Sequence, residues 1–187
     1  MASASTTISG TAQLPAHWGD LPGYGETIAD PKKMPPYTED LGDGVTHEVN
    51  LEEDEHWRLN GKLHRDRDLP AITYASGYRA WYWHGKRHRA GDKPAVIWAD
   101  GDQEWYRHGL LHRDGDQPAI IIAYGTKVWY RYGVICRGRD KPAVVEADGT
   151  KRWYKHGKLH RDGGKPAVIN ADGSTERWCN GHRFKSM

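Results

Sequence analysis

The same glycine returns every 24 residues, at Gly61, Gly85, Gly109, Gly133, Gly157 and Gly181. Pro70, Pro94, Pro118, Pro142 and Pro166 keep that period, each followed by Ala, and so do Trp57, Trp81, Trp105, Trp129 and Trp153. Gly77, Gly101, Gly125, Gly149 and Gly173 form a further series. The unit reads G-K-L-H-R-D-x-D-x-P-A-[IV]-[IV]-x-A-D-G-x-x-x-W-Y-x-H, in five full copies from Gly61. A period held without slippage limits the fold severely: each copy must be one small supersecondary element that completes its core against the next.

Turn chemistry says which element. "PAVINA" and "KRWYKH" are short β-prone runs, one branched and one aromatic. Between them "ADG" or a variant supplies a glycine that can take positive φ in a tight reversal. After the aromatic run, Asn-Gly, His-Gly or Tyr-Gly marks a second reversal of hairpin type. Proline opens the next strand, where its missing N–H does least harm. No window carries a 3.6-residue apolar period, so essentially no long helix is expected. Burying one Trp–Tyr pair does not offset the entropy of ordering a whole unit, so the hairpins must stack. The expected fold is all-β: an elongated, twisted array of stacked hairpins with an extended N-terminal arm.

The stretch "WYKHGKLHRD…ADGTK" is similar to MORN repeats, the matching positions being Trp153, Gly157 and His160 with the "ADG" turns. The period of 24 and the run H-R-D-x-D-x-P-A depart from that family. The chain resembles more closely a MORN-like variant of bacterial, phage and giant-virus proteins. The likeness covers residues 56–184 and implies a hairpin array. It also implies scaffolding or partner binding, with a debated role at lipid head groups.

Charge divides the chain in two. Residues 1–55 hold eleven Asp/Glu and two Lys, whereas residues 56–187 hold 25 Lys/Arg and 14 Asp/Glu. An acidic, Pro/Gly-rich arm (1–55) therefore precedes a basic repeat domain (56–187). The arm carries isolated anchors, Leu14, Trp18, Leu21, Tyr24, Tyr37 and Leu41, which suit docking better than free linkage. No apolar run reaches the ~20 residues of a membrane span. The start "MASASTTISG" lacks the features of a secretory signal, which points to cytoplasmic synthesis. Cys136 and Cys179 have no metal or redox spacing.

The triplet His-Arg-Asp looks like a reaction centre, but it recurs. His64, His88, His112 and His160 share one position, with Cys136 in the fourth unit. Arg65, Arg89, Arg113, Arg137 and Arg161 recur without exception. Asp66, Asp114 and Asp162 follow, with Ala90 and Gly138 elsewhere, and a second series runs Asp68, Asp92, Asp116, Asp140, then Gly164. Catalysis needs one tuned environment, and near-copies are better explained by a role every unit shares. The arginine is expected to pair with an aspartate of its own loop or the next. Two strands per unit would set equivalent histidines about 10 Å apart, too far to share zinc. No cofactor, metal site or enzymatic activity is expected.

Cations alternate with Trp and Tyr in "EWYRH", "KVWYR" and "KRWYK", a pattern suited to single-stranded nucleic acid. On a strand, however, Trp and Tyr face opposite ways, and cations two residues from each Trp can cover it as a cation–π stripe. Function is better sought where the units disagree. The fourth position after the proline reads Tyr74, Trp98, Ile122, Glu146, Asn170, so an apolar patch is confined to one end. Trp83 adds to the aromatic excess there.

These features lead to a non-enzymatic, protein-binding structural module. Trp18, Tyr74, Trp83, Trp98 and Ile122 are its expected contact residues, its partner another protein or other copies of the chain. The viral likeness suggests a virion-associated or assembly component. The alternative is a binder of an anionic ligand, whether nucleic acid, a nucleotide signal or a phosphoinositide, through Arg65, Arg89, Arg113, Arg137 and Arg161.

Overall fold

The computed structural model describes residues 35–184, which contain strands and turns and no helix. Strands β1 (Tyr37–Gly42), β2 (Val45–Val49) and β3 (Glu55–Leu59) begin an antiparallel sheet of 15 strands. Each unit then adds two short strands in sequence order, Ile72–Thr73 and Arg79–Ala80 in the first, Val96–Ile97 and Gln103–Glu104 in the second. Thr175–Cys179 and His182–Phe184 end the series. The sheet is open, not a closed barrel.

The aromatic segment is not one strand. Arg79–Ala80 pairs in the large sheet, whereas Tyr82–Trp83 pairs with Lys86–Arg87 in a separate hairpin. Later units repeat this division, as with Tyr106–Arg107 against Leu110–Leu111 and Tyr130–Arg131 against Val134–Ile135. In these units a tryptophan stands between the two halves. Trp81 donates its N–H to the Ala95 carbonyl at 2.8 Å, and its own carbonyl accepts from His88 N at 3.1 Å. Its two backbone groups thus serve two different pairings, and the chain turns from sheet to hairpin there.

Both reversals follow the glycines. At Gly77 (φ 100°) the N–H bonds to the Tyr74 carbonyl at 2.8 Å, closing a turn with one left-handed residue. The hairpin tips need two such residues, as in a type I′ turn: Asn60 and Gly61 at φ 49° and 73°, Tyr132 and Gly133 at 48° and 80°. Asparagine tolerates that conformation best; His84, His108 and His156 take it less readily, and Tyr132 occupies it against its intrinsic preference.

The core lies where the hairpins fold back on the sheet. Ile72, Tyr78, Ala80 and Val96 form a buried cluster, against which Leu63, Tyr74, Tyr82 and Tyr106 pack. The alanine after each repeat proline is fully buried, and Trp57, Trp81, Trp105, Trp129 and Trp153 are buried as well. Large rings over a row of alanines make a core from a sequence poor in Leu and Ile.

Residues 37–49, assigned from sequence to the arm, hold strands β1 and β2, paired antiparallel from Tyr37–Val49 with a register shift between Asp40 and Gly42, and β2 pairs onward to β3. The alternation in β2, with His47 and Val49 buried and Glu48 exposed, is that of a half-buried strand. His47 stacks on Trp57 at 4.0 Å and shields the first tryptophan of the series. Trp18, with Leu14, Leu21 and Tyr24, lies outside the described residues.

Candidate functional site

The repeated loops between hairpin and sheet hold nearly all the polar chemistry. In the loop His112–Gln117, Arg113 lies over the Trp105 ring, its guanidinium carbon 3.8 Å from the centroid. Arg113 Nε and a terminal nitrogen donate to the two carboxylate oxygens of Asp92, in the preceding loop, at 2.7 and 3.0 Å. Its other terminal nitrogen donates to the Pro118 carbonyl at 3.3 Å. Trp105 Nε1 donates to the Asp92 main-chain carbonyl at 3.1 Å. One aspartate thus holds both the tryptophan and the arginine of the next unit.

This clasp recurs at Asp68–Trp81–Arg89, Asp116–Trp129–Arg137 and Asp140–Trp153–Arg161. Lys93, Lys141 and Lys165 add a second cation to Asp68, Asp116 and Asp140. The Arg89 bond, reinforced by Lys93, holds the Asp68 carboxyl down to about 2. Arg137 with Lys141 and Arg161 with Lys165 depress Asp116 and Asp140 likewise. The cation over each tryptophan is therefore the arginine of the following loop, not the residues two positions away on its own strand.

Both ends of the array depart from the pattern. Arg65 covers Trp57 at 3.9 Å and bonds the Pro70 carbonyl, with Gly44 at the place of an earlier aspartate. Burial lowers its pKa, and the nearby Glu55 opposes that shift. At the other end Arg177 takes the tryptophan position and donates to the Gly164 carbonyl at 2.9 Å.

The histidines form a second ladder. His64 Nδ1 accepts the His84 N–H at 3.1 Å, while its Nε2 lies 3.2 Å from Asp66. Because an N–H can only donate, Nδ1 is unprotonated and Nε2 carries the hydrogen toward the carboxylate. His112 repeats this with the Tyr132 N–H at 3.3 Å and Asp114 at 3.0 Å, and His160 with Asn180 and Asp162. The rings also stack on the tip residue they serve, His88 on His108 at 4.5 Å and His112 on Tyr132 at 4.2 Å. Burial, with His108 and Arg107 nearby, lowers the His88 pKa and favours the neutral ring.

The arginines expected to bind an anion are thus held in the structure. The Arg89, Arg113, Arg137 and Arg161 side chains are 14–16% exposed and bonded to carboxylate and carbonyl at once. An external anion would have to displace an aspartate. No group of three or more His, Cys, Asp or Glu suited to a metal ion occurs among the described residues.

Of the expected contact residues, Tyr74 and Trp98 are brought together through Tyr78, whose ring lies 5.0 Å from one and 4.9 Å from the other. Trp98 is 40% exposed and donates to Glu104. Ile122 is half-buried at the same position of the next unit. The stripe then turns polar, with Glu146 paired to Arg152 and Asn170 bonded to Ser174. Trp83 sits elsewhere, against His64 and His84 at the hairpin tip. Sequence reasoning missed the apolar tips that follow, where Leu110, Tyr132 and Val134 are all exposed. A Cβ on Gly133 would meet Leu110, which places Leu110 against that tip.

Among the described residues, grooves open between successive loops, two of them as follows. The smaller, about 520 Å³, lies between the second and third loops. The larger, about 940 Å³, is bordered by the third and fourth loops and includes Arg131, Tyr132, Cys136, Gly138, Arg139 and His156.

No family model, curated protein or solved structure matches this chain. No helix among the described residues is long and apolar enough to cross a membrane.

Proposed function

We propose that the chain is a non-enzymatic, protein-binding repeat module, working in an assembly with a partner protein or with further copies of itself. The observation that supports this reading is the aromatic run Tyr74–Tyr78–Trp98. It joins two units by ring contact and leaves Trp98 partly in water. A large ring half in solvent beside a buried one is the composition of a protein-binding hot spot. The His-Arg-Asp triplets point the same way, since their bonding potential is spent between loops. The resemblance of the repeat sequence to MORN repeats is in keeping with an assembly or virion-associated role, with the N-terminal arm docking on the partner or on a neighbouring copy.

A photoreactive amino acid at position 98, in the full chain expressed in its native source, tests the reading. Cross-links from position 98 to a defined protein, or to a second copy, should exceed those from position 124, whose tyrosine is exposed on a neighbouring turn. Equal or absent cross-linking at the two positions would remove the aromatic run as the contact surface. Removing residues 1–34, which leaves every described strand in place, should lower the yield if the arm contributes.

A further inference from the structure

The fourth loop is the one place where the histidine ladder lacks its middle. In the third and fifth loops four groups form a chain. The next hairpin tip offers an N–H to the ring, the ring's Nε2 meets a carboxylate, and that carboxylate holds a cation seven residues earlier. His112, Asp114 and Arg107 do this after Tyr132 N, with Asp114 to Arg107 at 3.3 Å. His160, Asp162 and Lys155 do it after Asn180 N, with Asp162 to Lys155 at 2.9 Å. In the fourth loop Cys136 replaces the ring and Gly138 the carboxylate, while both outer groups remain.

Those outer groups are the His156 tip N–H and the Arg131 guanidinium. Among the described residues neither has a hydrogen-bond or ion-pair partner. Arg139, in the same loop at φ 59°, has none either. The second loop shows that the loss need not leave a free charge: where Ala90 replaces the aspartate, the cation position holds Trp83. Only here does the cation stand without its carboxylate. All of these groups border the 940 Å³ groove, as do Tyr130, Tyr132 and Tyr154 and the arginine-paired carboxylates Asp114 and Asp116.

The repeat itself thus describes what fits: a planar ring with an acceptor nitrogen for the His156 N–H, joined to an anion for Arg131 and Arg139. We infer that the groove at the fourth loop, bordered by Cys136, Gly138, Arg131, Arg139 and His156, binds a purine nucleotide. The five-membered ring of a purine carries the imidazole-type acceptor nitrogen that histidine supplies in the other loops. A phosphate dianion matches two unpaired guanidiniums better than a carboxylate does, and Arg presents the fork that phosphate accepts. The tyrosines on the groove's border suit an aromatic base. The site is distinct from the aromatic run at Tyr74–Trp98 and does not depend on it.

Titration of the full chain with AMP, UMP and inorganic phosphate, followed by calorimetry and by amide shifts, tests this. AMP should bind in the micromolar to low-millimolar range and shift the His156 amide. UMP, whose ring nitrogens in the neutral base are not acceptors, and inorganic phosphate alone should bind at least tenfold more weakly. Cys136→His with Gly138→Asp rebuilds the ladder within the protein. It should raise the unfolding midpoint and weaken AMP binding at least tenfold, and Arg131→Gln should weaken it severalfold with the fold unchanged. The inference is overturned if AMP does not bind at millimolar concentration or if phosphate binds as well as AMP. It is equally overturned if a folded double variant, or folded Arg131→Gln, binds AMP like the parent chain.

Discussion

Trp105 and Asp92 are 13 residues apart in the chain and joined by one bond, from the indole Nε1 to the Asp92 carbonyl at 3.1 Å. The carboxylate of the same aspartate holds Arg113, which lies on the face of that indole. A ring, a cation and an acid from two loops thus form a closed set. Trp105→Phe keeps the ring face and removes only the N–H, leaving the carbonyl short of a donor. A loss of about 1–2 kcal/mol in urea unfolding is expected; an unchanged midpoint would show that the bond contributes nothing.

Arg113→Ala removes the stacked cation and all three of its hydrogen bonds. It should destabilise by about 2–4 kcal/mol, combining the cation–π contact with the net worth of those bonds. Arg113→Lys retains charge but loses the planar fork, and should recover less than half of that loss. Full recovery by lysine would make the interaction one of charge alone.

His112 is buried and serves as an acceptor. His112→Phe preserves a ring over Tyr132 but leaves the Tyr132 N–H unpaired, at a cost of roughly 1–3 kcal/mol. Hydrogen exchange at the Tyr132 amide should accelerate in this variant more than exchange in distant units. Uniform acceleration along the array would argue against a local role.

The tips carry their own contrast. His156 and Tyr132 both sit at positive φ, 50° and 48°, but only Tyr132 has a histidine ring stacked on it. His156→Asn should therefore stabilise by about 0.5–1 kcal/mol, since asparagine accepts the left-handed conformation more readily. Tyr132→Asn gains the same backbone term but loses the stack, and should be close to neutral. Thermal unfolding of the two variants side by side decides the matter.

Acid should dismantle the clasps. Asp68 is held at about 2 in the fold against 3.8 unperturbed, with Arg89 as the main cause. A depressed carboxyl contributes stability above its unperturbed pKa, and that contribution is lost as pH falls through about 2. The stability gap between the parent chain and Asp68→Asn should be constant from pH 7 to 5 and shrink between pH 4 and 2. A gap that persists at pH 2 would mean that ionisation of Asp68 is not what the variant removes.

Much of this architecture is legible in the sequence. The 24-residue period, the glycine turns and the proline-opened strands led to stacked hairpins, which the sheet order bears out. The division of the aromatic strand at Trp81 and its equivalents was not legible, because it depends on which neighbour each backbone group meets. The same cause hid the partner of Arg113. An arginine with several aspartates nearby in sequence gives no sign that it will choose the one 21 residues back. The strands at 37–49 escaped notice because eight of the arm's eleven carboxylates lie in residues 39–55, and charge masked the alternation of β2. Cys136 and Gly138 stood out as exceptions, but their spatial neighbours Arg131 and His156 did not. Those lie 5 residues before the cysteine and 20 after it, and only the pairing of loop with tip joins them.

The clasp also gives the array a direction. Each aspartate grips the unit that follows it, so a unit is secured on one side by what it holds and on the other by what holds it. The first arginine in the series, Arg65, has no such aspartate behind it, and Gly164 has no carboxylate to offer Arg177. Fraying of the repeat array should therefore start from its two ends, at Arg65 and Arg177, and move inward, with the amides around Trp105 and Trp129 the last to exchange. The groove at the fourth loop lies beside that slowest-opening stretch, on the part of the molecule that keeps its shape longest.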